Sequence, residues 1–234
     1  MSEERDLEGS DHLVEGAEPV ESEVGEALSG EGAEWTGLEE RRGGGPDPYE
    51  EARQRWDNLD AGCRSGLEAA LSVAAGANPG VAAKLRLMAL DRALAAAGTM
   101  QAAATGQNID WTILAAIGIR ETGFLNIRES QNPAGMGRGV FQIDIGANPS
   151  VTEGQAMNFV WATDWAIAKL TSNRASLSAA FPQMSQSDLT AAMIATWNHG
   201  LAGVSTNLRN GVSVDQGTTN GNYSANVLNL QKCF

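Results

Sequence analysis

The chain has 234 residues, 42% of them hydrophobic, enough for one globular body with a real core. Its net charge of −13 resides wholly in residues 1–50, which hold 16 acidic and 3 basic residues, while residues 51–234 hold 13 of each. No basic surplus is left to neutralise phosphates, which argues against nucleic acid or an anionic lipid surface as partner, and no run approaches the ~18 apolar residues of a membrane span.

Residues 1–48 are rich in Glu, Gly, Ser and Pro and close on ERRGGGPDP. Such a segment buries too little apolar surface to offset its chain entropy, so a disordered acidic tail is expected, with Trp35 and Leu38 its only notable apolar residues. The opening MSEERDLEGSDHL is acidic and lacks an apolar run, the reverse of a secretory signal. Work outside a cell then implies another export route or a leader that this sequence lacks.

Residues 49–105 read as a helical scaffold without chemical motifs. EEARQRWDNLDAGCRSGLEAALSVAAGA suits one or two helices, stopped near Gly76 and by Asn78-Pro79-Gly80, and Val81 to Ala104 suits one or two more. Gly106-Gln107-Asn108 breaks that run, and Asp110 is placed to cap WTILAAIGIRE, which is apolar almost all round and so suits a central, buried helix. ETGFLNIRESQNPAGMGRG is too polar and Gly-rich to be helical throughout, and VFQIDIG suits a short strand. Thr152–Leu170 and LTAAMIATWNHG suit further helices, the second starting at Ser187 or Asp188 and ending at Gly200. A loop containing Asp215 and GTTNGNY follows, then a last short helix, SANVLNLQKCF. The fold class is mainly α, with a small extended or β element at its centre.

Cys63 and Cys233 open and close the ordered region. Two separate buried thiols is the expectation. A disulfide tying the C-terminus to an early helix is the alternative, open only in an oxidising compartment. Two cysteines and two histidines, His12 and His199, offer no metal-ligand cluster, so neither a metal nor a cofactor is expected.

Glu121 is a charge in an unusual place. The C-terminal end of an apolar helix disfavours a negative charge through both the helix dipole and desolvation, and each raises a carboxyl pKa. A glycosidase needs such a carboxyl to protonate the departing glycosidic oxygen. On spacing alone the plainer reading is preferred, in which Glu121 turns to solvent or pairs with Arg120 or Arg128. A second carboxylate stands at Asp144, with Glu129 in the intervening loop as a possible auxiliary. An Asp after a short apolar segment is more often a turn or cap residue.

Four blocks in order, AAIGIRETGF, GRGVFQIDIG, AAMIATWNHGLAGV and VDQGTTNGNYSANV, resemble goose-type lysozymes and the related soluble lytic transglycosylases. The resemblance covers about residues 106–230 and reverses the preference at Glu121. It implies a lysozyme-like α+β region over 106–234 with Glu121 as catalytic acid and Asp144 positioning or activating water. It also implies that Gln142, Asn198 and Tyr223 line a sugar-binding cleft, where Trp197 stacks on a sugar or belongs to the core. Thr218 and Thr219 fix their loop, and His199 is a helix-end residue. Thr122 stands for the family's Ser, Trp197 for its Tyr and His199 for its Ala. The turn 130–138 lacks an Asp that goose-type enzymes often carry there.

The implied activity is cleavage of the β-1,4 bond between N-acetylmuramic acid and N-acetylglucosamine in peptidoglycan, with inversion if water attacks. Intramolecular attack would instead give the anhydro-muropeptides of a lytic transglycosylase, and a further alternative is a module that binds glycan without cutting it. The expected setting is the cell wall, extracellular or periplasmic, with the protein a monomer and its acidic tail an adaptor or electrostatic mask for a delivery partner.

Overall fold

The structure, a computed structural model, describes residues 49–73, 76–129 and 135–234. The expected tail over 1–48, with Trp35 and Leu38, lies outside the described residues, as do residues 130–134 of the turn. Among the described residues the architecture is mainly helical, with one small two-stranded sheet. No helix among them is long and apolar enough to cross a membrane.

Helix α5 (Trp111–Thr122) forms the centre, and its residues 112–119 are buried without interruption. The reason is compositional: a helix apolar on every face is stable only when other elements cover every face. Five helices do so: α2 (Ala61–Ala70), α3 (Pro79–Ala95), α4 (Ala97–Ala104), α7 (Phe159–Ala180) and α9 (Tyr223–Gln231). Helix α1 (Glu50–Asp57) packs on α3, and α8 (Gln186–Arg209) packs along α7. The expected scaffold over 49–105 and the region that follows share one hydrophobic core, in which Leu67, Leu87 and Met100 meet Leu114, Ile117 and Ile194.

Short polar residues start the helices, each accepting from backbone N–H groups that the first turn leaves unpaired. Asp60 caps α2, Asn78 caps α3 with Pro79 following, and Asp110 accepts from Thr112 N at 3.0 Å to cap α5. The single helix expected over 152–170 is two. Thr152 and Gln155 form a capping box for the short α6 (Glu153–Met157), then Asn158 leaves helical geometry and its side chain caps α7, which runs on to Ala180. The helix expected to end at Gly200 starts at Gln186 on a Ser185 cap, bends at Gly200 (φ 74°) and continues to Arg209. Gly200 marks a bend rather than an end because the segment beyond it still buries Val204 and Asn207.

Strands β1 (Gly137–Arg138) and β2 (Ile143–Asp144) pair antiparallel, Gly137 opposite Asp144 and Arg138 opposite Ile143. Arg128 bridges to Arg138, and Glu129 N donates to Gly137 O at 3.0 Å, so residues 127–129 widen the ribbon. Only Ile143 and Asp144 of the expected VFQIDIG strand are in a strand. Val140 and Phe141 are buried in succession, which a strand exposed on one face does not allow, and they plug the hairpin turn into the core.

Cys63 and Cys233 are joined in a disulfide, correcting the expectation of separate thiols. Helix packing brings them together. Gly66, one turn after Cys63, lets α9 approach so closely that a β-carbon there would lie 2.8 Å from Leu230 N. Asn226 donates to the Gly66 carbonyl at the same crossing.

Candidate active site

Helix α5 ends at Glu121 and Thr122, with Gly123 (φ 62°) as its C-cap. Arg92 donates twice to the Gly123 carbonyl, at 2.8 and 3.1 Å, and Thr122 Oγ1 donates to Val140 O at 3.0 Å. These contacts fix the helix end against the hairpin. A Ser hydroxyl would supply the same bond, so Thr122 keeps this tie.

The Glu121 side chain is half-buried and opens on a cleft of about 810 Å³. Burial raises its pKa to about 7, opposed by a hydrogen bond from Tyr223 and by the Arg120 charge, and assisted by repulsion from Glu129. Neither arginine neutralises it by pairing. Arg120 donates to the carbonyls of Ala69 and Thr219 and lies over the Tyr223 ring, and Arg128 pairs with Glu153. A carboxyl so placed holds a proton near neutral pH and can release it to a group bound in the cleft.

Tyr223 Oη donates to Glu121 Oε1 from inside the protein. The Tyr223 side chain is fully buried and is not among the residues lining the cleft, so it stands behind Glu121 and not in the cleft wall, where the resemblance placed it. Burial, then the Glu121 charge, pushes its phenol well above the ordinary value, so it remains a donor.

Asp215 sets the position of Tyr223. Its carboxylate accepts from Ser224 N (2.7 Å), Ser224 Oγ (2.8 Å) and Ala225 N (3.3 Å), capping α9 from outside the helix. Thr218 Oγ1 donates to Asp215 O, and Asn198 holds Thr219 by accepting from its N–H at 2.8 Å and donating to its hydroxyl at 3.1 Å. Both threonines thus fix the loop, as expected. Sequence reading assigned Asp215 no role, because it lies eight residues before the helix it caps and a local capping rule looks only one to three residues back.

The cleft wall brings together Glu121, Glu129, Gln142, Asp144, Trp197 and Asn198. Trp197 is half-buried, donates from Nε1 to Phe141 O at 3.1 Å and packs edge-on against Phe141 and Trp165, so it belongs to the core and the wall at once. Asp144 Oδ1 accepts from Gly146 N (2.8 Å) and Ala147 N (2.9 Å), the turn-capping role open to an Asp after a short strand. Gln142 sits at φ +49°, a conformation costly to a residue with a β-carbon, of order 1–3 kcal/mol. Trp165, Lys169 and Asn148 also line the cleft. The helix expected over 152–170 gave Trp165 no role at a site.

His199 is wedged between Gly203 and Gly217, where a β-carbon on either would lie within 2.6 Å of its ring. It joins the bend at Gly200 to the loop that holds Tyr223. No family model matches this chain, and no curated protein matches it significantly.

Proposed function

We propose that this protein is a lysozyme-like glycoside hydrolase that cuts the β-1,4 bond between N-acetylmuramic acid and N-acetylglucosamine in peptidoglycan, with Glu121 as general acid. One observation carries the reading: a carboxyl whose pKa burial raises to about 7, opening on a cleft of about 810 Å³. A departing glycosidic oxygen needs a proton from such a group.

Three further features support it. The four blocks that resemble goose-type lysozymes lie far apart in the chain yet converge on Glu121: the end of α5, the hairpin, the first part of α8 and the loop before α9. The wall pairs indole rings, Trp165 and Trp197, with the polar side chains of Asn148 and Asn198, a mixture suited to the faces and hydroxyls of sugars. The Cys63–Cys233 bond fits work in an oxidising setting such as the cell wall.

The test is digestion of purified peptidoglycan by wild type and Glu121→Gln, with mass spectrometry of the released fragments. Reducing-end muropeptides from wild type and none from the variant are expected. Anhydro-muropeptides from wild type would make the protein a lytic transglycosylase. Binding without fragments from either protein would make it an attachment module and end the enzyme reading.

A further inference from the structure

Charge is unevenly used along the cleft wall. Glu121, Glu129 and Asp144 bring carboxyls to it, and two basic side chains, Arg128 and Lys169, stand among them. Arg128 pairs with Glu153. Lys169 makes no ion pair and donates to no acceptor among the described residues, although it shares the cleft with those carboxyls. Its three N–H groups are left for a charge that the ligand brings.

Lys169 is nonetheless held in place. It lies one turn after Trp165 on α7, and its Nζ stands 5.9 Å from the centre of the Trp165 ring. The ring is itself supported from two sides. Trp161, a turn further back, stacks on it at 6.4 Å, and Trp197 meets it edge-on at 6.0 Å. Trp165 is half-buried and Lys169 exposed, and both line the cleft. An apolar ring face and an ammonium therefore adjoin on one stretch of wall, a pairing that suits a sugar carrying an acidic substituent.

The polymer supplies such a sugar. Of the two that alternate in peptidoglycan, only N-acetylmuramic acid bears an acidic arm, a lactyl group whose carboxyl is free or amide-linked to a peptide with carboxylates of its own. The three carboxyls of the cleft oppose the approach of an anionic strand, so local attraction has to come from the unpaired cation. We propose that Lys169, poised over Trp165, is a specificity residue that binds a carboxylate on the muramic acid arm and so favours acid-bearing strands over neutral ones. This rests on the reading of the cleft as a peptidoglycan site.

The experiment uses intact peptidoglycan and peptide-stripped glycan strands, each native and with its carboxylates capped as amides by carbodiimide and ammonia. Wild type, Lys169→Gln and Lys169→Arg are compared on all four for binding and for fragment release, with melting temperature as a control for folding. Wild type is expected to favour a native polymer over its capped form. Lys169→Gln should shrink that native-to-capped ratio by about 3–10-fold, between the worth of an exposed ion pair and that of a hydrogen bond to a charged group. Lys169→Arg, which keeps the charge, should retain it. A shrunken ratio on stripped strands assigns the lactyl carboxylate, and one on intact polymer alone assigns the peptide. A ratio that Lys169→Gln changes by less than about 2-fold on both polymers overturns the proposal. So does an equal loss on native and capped forms, which would make Lys169 a packing residue for Trp165. If wild type binds but releases no fragments, the hydrolase reading fails, and the binding ratio still decides on Lys169. If wild type cuts and the ratio does not move, the role of Lys169 fails alone.

Discussion

Tyr223 and Glu121 stand 102 residues apart in the chain and share one hydrogen bond, phenol to carboxyl, beneath the floor of the cleft. The bond acts against burial. Desolvation favours the neutral acid, while a donor aimed at the carboxylate favours the charged form. The balance leaves Glu121 poised near neutrality, able both to give up a proton and to recover it.

Removing the donor tips that balance. Tyr223→Phe keeps the ring in the core and should move the Glu121 pKa further up from about 7. The alkaline limb of the pH–rate profile would shift the same way, and loss of orientation would lower kcat by up to about 100-fold. An unmoved limb would show that the phenol does not govern the acid.

The raised value has consequences for activity and stability. If Glu121 is the general acid, as proposed, activity requires its protonated form, so kcat should fall as pH rises through about 7, with Tyr223, Arg120 and Glu129 the groups acting on Glu121. For stability, the folded state holds this proton more tightly than the unfolded chain, where the ordinary value is 4.5. The contribution is therefore fully present below about 4.5 and lost as pH rises through about 7, a difference of roughly 3 kcal/mol. Urea unfolding should find Glu121→Gln more stable than wild type at pH 8, with the advantage gone at pH 4.

Asp215 is buried and meets three donors at the start of α9. Asp215→Ala leaves those donors unpaired and should cost about 1–3 kcal/mol. It should also lower kcat, because α9 carries Tyr223. Asp215→Asn, which keeps an acceptor oxygen, should recover part of both. Thermal melts and rates on the same preparations would check this, and a stable but slow Asp215→Asn protein would separate positioning from folding.

The Cys63–Cys233 bond closes a loop of 170 residues. Cys63→Ser, or reduction, should destabilise by about 2–5 kcal/mol. Denaturant melts with and without reductant would measure it, and equal midpoints would mean that the α2–α9 packing holds the C-terminus unaided.

Much of this molecule is local information, and local information is legible in sequence. The caps at Asp110, Asn78 and Asp60 act within three residues, and the all-round apolar run of α5 implies burial whatever surrounds it. Glu121 could be singled out for the same reason: a carboxyl ending such a run meets desolvation wherever the helix goes. Other features depend on which distant surfaces touch. The disulfide exists because Gly66 admits α9 to contact, and cysteine spacing carries no trace of that approach. Tyr223 became the partner of the acid, not a wall of the cleft, because Asp215 and Thr218 set the start of its helix behind α5. Glu121 stood out along the chain, with Asp144 and Glu129 as lesser candidates. That Tyr223 and Glu129 both act on it was decided by tertiary structure, since electrostatic interactions fall off with distance in space, and sequence separation does not measure that distance.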